Sequence, residues 1–531
     1  DVAPSRGLGD VYKRQVSDKL NLTLGLRIDV PFFMTDLQSN DKVAAETYRD
    51  GIKIDVSKYP NAKPQFSPRF GFNYKPFDDE NGSLQIRGGT GLFTGTPPYV
   101  WISNQAGNNG VLFGDLNVRA VKDKNDNIIS DGRPSLGFTG NMDTYKPAEG
   151  SATRSDIAIT DPDFKYPSLW KSNIAADYKF GDGWVATIEL LYSKDINAIY
   201  HDNIGLYRTE QFVNDGGAGN ARPYYNGYYS DREGNQKAAN HVVMLRNTSK
   251  GHSLYTTFQL QKNFVDGILK GLYLNGSYSF GQSRGVTDGT SSVATSAWKY
   301  RAALDGNAEE VGYTAGSFDG RLLLSASYTA NWSKYAATSF GLIYQRYRPF
   351  RYSYCYNGDA NGDSQFSNDL MYIPANFDEV KDHLLPGDFD SQEDAWKAMN
   401  AFIEQDPYLS KHRGEYAERN GAVAPFANQL DLSVSHDIKI YQKNGRSHTL
   451  RFSFNIANFL NLLNRNWGVV QTTVLGNQQY QFLTIPKGQG PSAANNYTLK
   501  YTMAKDLDET FKDNLNDVSR WQMQFGIKYI F

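Results

Sequence analysis

The stretch Gln524-Phe525-Gly526-Ile527-Lys528-Tyr529-Ile530-Phe531 decides the fold. It completes a run in which Trp521, Met523, Phe525, Ile527, Tyr529 and Phe531 alternate with Gln522, Gln524, Gly526 and Lys528. A period of two places the first set on one face of a strand and the second on the other. A soluble sheet with one wet face shares that period, but it seldom sets aromatics at both ends of its apolar face. One face against lipid, the other against a watery lumen, with aromatic girdles at the two interfaces, accounts for both features. The stretch predicts the closing strand of a transmembrane antiparallel β-barrel.

The same period runs back through the chain. Leu20, Leu22, Leu24, Leu26, Ile28 and Val30 alternate with Lys19, Asn21, Thr23, Gly25, Arg27 and Asp29. Paired segments follow at 66–74 and 84–93, 169–180 and 184–199, 254–264 and 272–280, 322–332 and 336–347, and 430–441 and 450–458. Short turns join the members of each pair: 75–82, Gly181-Asp182-Gly183, Asp266-Gly267, Ser333-Lys334 and the hairpin dipeptide Asn444-Gly445. With the closing strand the pattern predicts about twelve strands. Between pairs lie long polar connections, about 31–65, 94–166, 200–252, 281–320, 348–426 and 459–520. Short turns at one end and long loops at the other is the layout of periplasmic turns and extracellular loops. Counting outward from the first strand puts Phe531 at the periplasmic end.

Composition narrows the function. The mean hydropathy is −0.56, and no run approaches the ~20 apolar residues of a membrane helix. Aromatics make up 14% of the 531 residues, which favours strands. A net charge of −2 gives no bulk electrostatic case for nucleic acid. The single cysteine, Cys355, excludes an internal disulfide and a multi-cysteine metal site. Residues 1–15 lack the apolar segment of an export signal and match none of the later pattern. They resemble translated adaptor sequence and are expected to be non-native, leaving 16–531 as part of a barrel whose beginning is missing.

Few motifs carry chemistry. Gly281-Gln282-Ser283-Arg284-Gly285 fits the G-x-S-x-G nucleophile elbow, but loop residues follow where the elbow needs a helix. Arg87-Gly88-Gly89-Thr90-Gly91 sits inside a strand and is read as easing curvature or making room in the lumen, not as a phosphate cradle. Ser435 and His436 are neighbours on one strand and so face opposite sides. The seven histidines include no His-x-x-x-His pair. Asp359, Asn361, Asp363 and Asp369 crowd oxygen ligands into one loop, either a structural calcium site or a solvated turn, without the EF-hand glycine and terminal glutamate. Tyr99, Trp101, Tyr224, Tyr225, Tyr228 and Tyr229 lie in the long loops. Tyr99, Trp101, Tyr228 and Tyr229 are the candidate ligand contacts, with loop-to-loop packing as the alternative. A helix over 393–404, with Ala395, Trp396, Met399 and Phe402 on one face, is expected to fold on the loop's own core.

Several segments resemble TonB-dependent receptors, in particular the Oar-like group of the Bacteroidetes. They are Gln65-Phe66-Ser67-Pro68-Arg69-Phe70-Gly71-Phe72, Arg87 to Gly95, Pro97-Pro98-Tyr99-Val100-Trp101, Tyr356 to Asp363, and Asn455 to Gly468. The terminal pattern of Gln524, Gly526, Tyr529 and Phe531 also resembles the sorting signal read by the barrel-assembly machinery. The resemblance implies a 22-stranded barrel of which this chain supplies the C-terminal half, with a plug and TonB box upstream. It further implies uptake of a scarce or large solute, driven by TonB, ExbB and ExbD, with outer-membrane lipid around the wall and no catalysis. Two other readings remain: a small self-contained barrel hydrolase, and an adhesive barrel.

Overall fold

The computed structural model describes residues 6–111, 121–122, 128–129, 140–141, 143–144, 155–215, 222–289, 291–441, 447–475, 479–492, 497–503 and 509–531. Thirteen long strands form one sheet in chain order: β1 Arg6–Ser17, β2 Leu20–Val30, β3 Gln65–Asp79, β4 Gly82–Thr94, β5 Ser168–Phe180, β6 Trp184–Asp195, β7 Gly251–Asn263, β8 Leu272–Gly285, β9 Arg321–Ser333, β10 Ala336–Tyr347, β11 Ala427–Tyr441, β12 Ser447–Ala457 and β13 Gln522–Ile530. The short strand Gly312–Tyr313 adds a fourteenth beside β8. Every neighbour in the series pairs antiparallel, as in a meander.

The register keeps one face apolar throughout. Leu22, Phe72, Gly88, Ile174, Leu190 and Thr256 stand opposite one another across β2 to β7. Tyr328, Phe340, Val434, Phe454 and Phe525 do the same across β9 to β13. A slip of one residue at any ladder would invert every later side chain. The alternate residues form the opposite wall, as in the row Asn73, Arg87, Ala175, Glu189, Thr257, Ser279 and Arg321. Phe525 is 72% and Ile527 66% exposed. Apolar residues so placed are not a protein core; they make the belt that lipid covers.

Glycine is needed at two kinds of place. Gly183 closes the β5–β6 turn at φ +83, and a Cβ there would strike the Asn263 carbonyl. Gly88 seats the Phe72 ring from the neighbouring strand, because a Cβ would lie 2.8 Å from that ring.

The expected alternation of turns and loops holds for the described residues, with four differences, the first being that residues 75–79, expected in a turn, extend β3 and its pairing with β4. Residues 184–199, expected as one strand, divide into β6 and Ala198–Asn203. Strand β8 runs on through Gly281–Gly285, expected to lie in a loop. The segment expected to be foreign contributes β1, paired from Arg6↔Val30 to Ser17↔Leu20, so thirteen long strands stand where about twelve were expected. An open strand edge offers N–H and C=O groups without regard to side chains, and the preceding segment takes the edge of β2. The hinge Asn444-Gly445 lies outside the described residues.

The long connections fold into a cap with buried cores of its own. Strands Ala198–Asn203, Ala239–Thr248 and Ser155–Thr160 form a three-stranded sheet. Its apolar side joins Val43, Ile54, Ile157, Ile204, Val242 and Met244. Among the helices of the connections are α1 Tyr99–Gly107, α2 Ala294–Lys299 and α3 Gln392–Gln405. Helix α3 starts at Ser391, whose hydroxyl accepts the Asp394 N–H at 3.1 Å. It buries Ala395, Met399, Phe402 and Ile403 against Tyr352, Tyr354, Tyr480 and Phe482, the largest core of the molecule. Trp396 packs at the margin on Phe377. The helix therefore serves the loop's own core, as expected from its spacing.

The two faces of β13 give a direct test. Lys528 lies opposite Arg451 on the polar wall, while Ile527 lies opposite Phe452 on the belt. Ile527→Glu is expected to cut membrane assembly severalfold, because a charge on the lipid face is destabilising. Lys528→Glu is expected to assemble near the wild-type level. Heat-modifiable mobility of the membrane fraction measures both, and equal loss would refute the facing.

Candidate functional site

Two surfaces can meet a solute: the polar wall and the cap above it. On the wall, Arg87 Nε donates to Asp177 Oδ2 at 2.9 Å, and its other nitrogen lies 3.7 Å from Glu189. Thr187 donates to the remaining Asp177 oxygen at 2.7 Å. Arg451 holds Asp437 through two bonds of 2.6 and 2.8 Å. Gln259 donates to Asn275 at 2.7 Å and Gln345 to Gln429 at 2.8 Å. The strand alternation made these wall residues visible, since each sits at a polar position between belt residues.

Hollows fall on both faces. One of about 460 Å³ is lined by Tyr273, Ser325, Gly341, Asp431, Ser433 and Asn455, mostly wall residues. Another of about 580 Å³ is lined by Tyr178, Ile188, Phe258, Leu260 and Tyr278 on the belt. Its apolar lining suits acyl chains, so size alone does not mark the solute path.

The candidate aromatics do not converge. Tyr99 packs with Ile102, Phe164 and Tyr166. The Trp101 indole N–H donates to the Ser291 carbonyl at 2.8 Å, and its ring meets His201 edge-on at 5.4 Å. Tyr228 lies edge-on to His241 at 5.1 Å, and Tyr229 to Tyr207 at 5.2 Å. Tyr225 is buried and donates to Asp305 at 2.7 Å. Trp101 and Tyr225 reach from one connection to another, whereas Tyr99, Tyr228 and Tyr229 pack on rings of their own connection. Burial pushes His201 down to about 4, helped by the Arg301 charge, and burial also pushes His241 down.

The acidic loop is likewise engaged with its own chain. Asp359 accepts the N–H groups of Asn361 at 3.1 Å, Gly362 at 2.6 Å and Ser364 at 2.8 Å. Asp363 accepts from Gln365 N at 2.8 Å and Asn361 Nδ2 at 3.3 Å. Asp369 accepts from Ala360 N at 2.8 Å and Arg222 at 3.2 Å. Among the described residues no group of three or more His, Cys, Asp or Glu is arranged to hold a metal ion. Every oxygen of the three carboxyls receives a donor from the chain, so as placed they form turns and an ion pair.

The structure reveals a network that sequence reading missed. Arg222, 0% exposed, pairs with Asp215 at 3.0 Å and Asp369 at 3.2 Å and lies over the Tyr356 and Tyr416 rings. Tyr416 and Tyr497 both donate to Asp215. Its members come from three connections, with no local spacing to announce them. As for the hydrolase motifs, Gly281–Gly285 is strand, without a following helix at the elbow position. His436 faces the belt, bonded to Thr338 at 2.9 Å, and Ser435 faces the wall.

Asp363 also sets a pH dependence. Burial, then the Asp359 charge, push its carboxyl up to about 7 from 3.8. The folded chain thus binds a proton that the unfolded chain has released. The group's contribution to stability is complete below pH 3.8 and is lost as pH rises through about 7. Asp363→Asn is expected to raise the melting temperature more at about pH 8 than at about pH 5. Thermal unfolding in detergent checks this, and equal shifts at both pH values would show that the carboxyl does not titrate there.

The family described as "Outer membrane beta barrel domain" matches residues 10–489. No curated protein sequence matches the chain. Among solved structures the chain is similar to a mutant of the ferric enterobactin receptor PfeA of Pseudomonas aeruginosa, with TM-score 0.39 and 9% identity, covering 99% of this chain and 44% of that one. It is also similar to the siderophore receptor PirA of Acinetobacter baumannii, with TM-score 0.39, 8% identity and coverage of 86% and 41%. The ferric-catecholate import receptor Fiu of E. coli K12 gives TM-score 0.34, 10% identity and coverage of 99% and 45%. The chain spans less than half the length of these three structures. With its apolar belt, its polar wall and a family match over most of its length, the chain belongs to the outer membrane β-barrel domain family.

Proposed function

We propose that this chain is the barrel portion of a TonB-dependent receptor that imports a scarce or large solute across the outer membrane. The observation that carries the reading is the cap. Long connections with buried cores stand over a hydrogen-bonded polar wall, while the other end has short turns. An open pore gains nothing from so large a folded cap; a receptor that selects its solute before passing it inward does. The segments that resemble TonB-dependent receptors point the same way, and with them come an upstream plug, a TonB box, and ExbB and ExbD as the energy source.

Catalysis has no part in this reading. Ser435 and His436 point to opposite faces, so the hydrolase alternative gains no support, and no contact favours the adhesive one.

The test works whatever the solute is. The full-length gene is deleted from its host, and in a second strain TonB is deleted. Mass spectrometry then follows which compounds each strain removes from a complex medium. The same compound is expected to persist in both deletion cultures and to be consumed by the parent. A compound left only by the receptor deletion, and still consumed without TonB, would overturn the energy coupling.

A further inference from the structure

Two cap arginines are buried without an acid bonded to them. Arg301 is 5% and Arg419 3% exposed. All their hydrogen bonds end on backbone carbonyls. Arg301 donates to Val286 at 3.4 Å, to Ala308 at 3.0 Å and to Gly306. Arg419 donates to Val286 at 2.5 Å and to Gly285. Both guanidiniums thus converge on one carbonyl, and the Nε of each is buried with no partner. Glu310, Asp305 and Asp202 near Arg301, and Asp288 and Glu310 near Arg419, offset part of each charge. None is hydrogen-bonded to either guanidinium, and burying a charge without a bonded counter-ion is costly. Arg222 in the same cap, by contrast, is bonded to two aspartates.

A cavity of about 50 Å³ lies between them, lined by Thr287, Asp288, Tyr300 and Gln479 as well as the two arginines. A single water needs only about 10–15 Å³ of such space, so the cavity takes a small polyatomic ion. Asp288 is the acid on its wall, and both its oxygens are engaged, accepting from Ala315 N and from Asn420 Nδ2 at 2.8 Å each. The lining comes from three connections, those that follow β8, β10 and β12. Burial lowers both guanidiniums, Arg419 to about 10, against the opposing pull of Asp288 on Arg419 and of Glu310 and Asp305 on Arg301.

We propose that Arg301 and Arg419 bind a small tetrahedral oxyanion of the phosphate or sulfate class, free or as a substituent of a larger solute, which clasps the three connections together. Guanidinium presents planar, paired donors that suit such an ion. The proposal goes beyond import and stands whether or not the barrel is driven by TonB.

The full chain, purified in detergent, is titrated with radiolabelled phosphate and sulfate at constant ionic strength, with chloride as the background ion. Glycerol phosphate is the competitor, and melting temperature is followed by tryptophan fluorescence. Saturable binding with a rise in melting temperature is expected for at least one oxyanion. Competition by glycerol phosphate as strong as by phosphate assigns the site to a substituent on a solute; weak competition assigns it to the free ion. Gln479→Glu keeps the side-chain shape and sets a carboxylate at the cavity wall. It is expected to melt above wild type without added oxyanion and to bind it at least about tenfold more weakly. Arg419→Gln is expected to lose binding as well, and should that variant misfold, Gln479→Glu decides alone. No saturable binding by the wild type, or wild-type binding by Gln479→Glu, would overturn the proposal.

Discussion

In lipid each backbone N–H and C=O must find its partner inside the protein, because no water is there to take its place. That requirement governs the rest of this structure. It forces long antiparallel ladders between chain neighbours, fixes their register, and sends irregular backbone to the ends of the strands. Once the ladders are fixed, the period of two assigns each side chain to lipid or to water. Phe72 over Gly88 shows how tightly the faces are set, since the ring occupies the place that a neighbouring Cβ would take.

A wall one sheet thick has no second layer to pack against, so it cannot hold a protein core. The buried apolar clusters lie instead in the connections, where Tyr352, Tyr354, Phe402, Tyr480 and Phe482 meet. Tyrosine suits this position because its ring fills space while its hydroxyl stays bonded. Tyr354 donates to Asp406 at 2.6 Å, and Thr510 donates to the same oxygen at 2.7 Å. Such bonds tie residues distant in the chain into one body. The abundance of aromatics in the sequence therefore has two separate causes, belt and cap.

The wall was legible in the sequence because its rule is local. Leu20 to Val30 and Trp521 to Phe531 declare their faces residue by residue, and helix α3 declared its buried face by the spacing of Ala395, Met399 and Phe402. The pairing of the segment before Val16 with β2 is not legible in its side chains, because strand pairing depends on a backbone edge that side chains do not advertise. The cap was opaque for the opposite reason. Arg222 meets Asp215 and Asp369, and Trp101 meets His201, across long stretches of chain with no shared period. The acidic run at 359–369 looked like a ligand set, since oxygen-rich spacing is common to cation loops and to turns that satisfy their own N–H groups.

The arginines rank these regions by what charge does in each. Arg87 and Arg451 face the watery wall and pair with acids there. Exposed pairs of this kind contribute about 0–1 kcal/mol, so they hold the barrel only weakly. Arg222 is enclosed, and its two aspartates make it a joint of the cap, since removing one side of such a network leaves a buried charge uncompensated. Arg301 and Arg419 are enclosed as deeply, with carbonyls alone as bonded partners. Stability by itself would favour an apolar residue, or an acid bonded to the guanidinium, at those positions. A pair of buried cations around a cavity is the observation from which an anion that clasps the three connections is proposed.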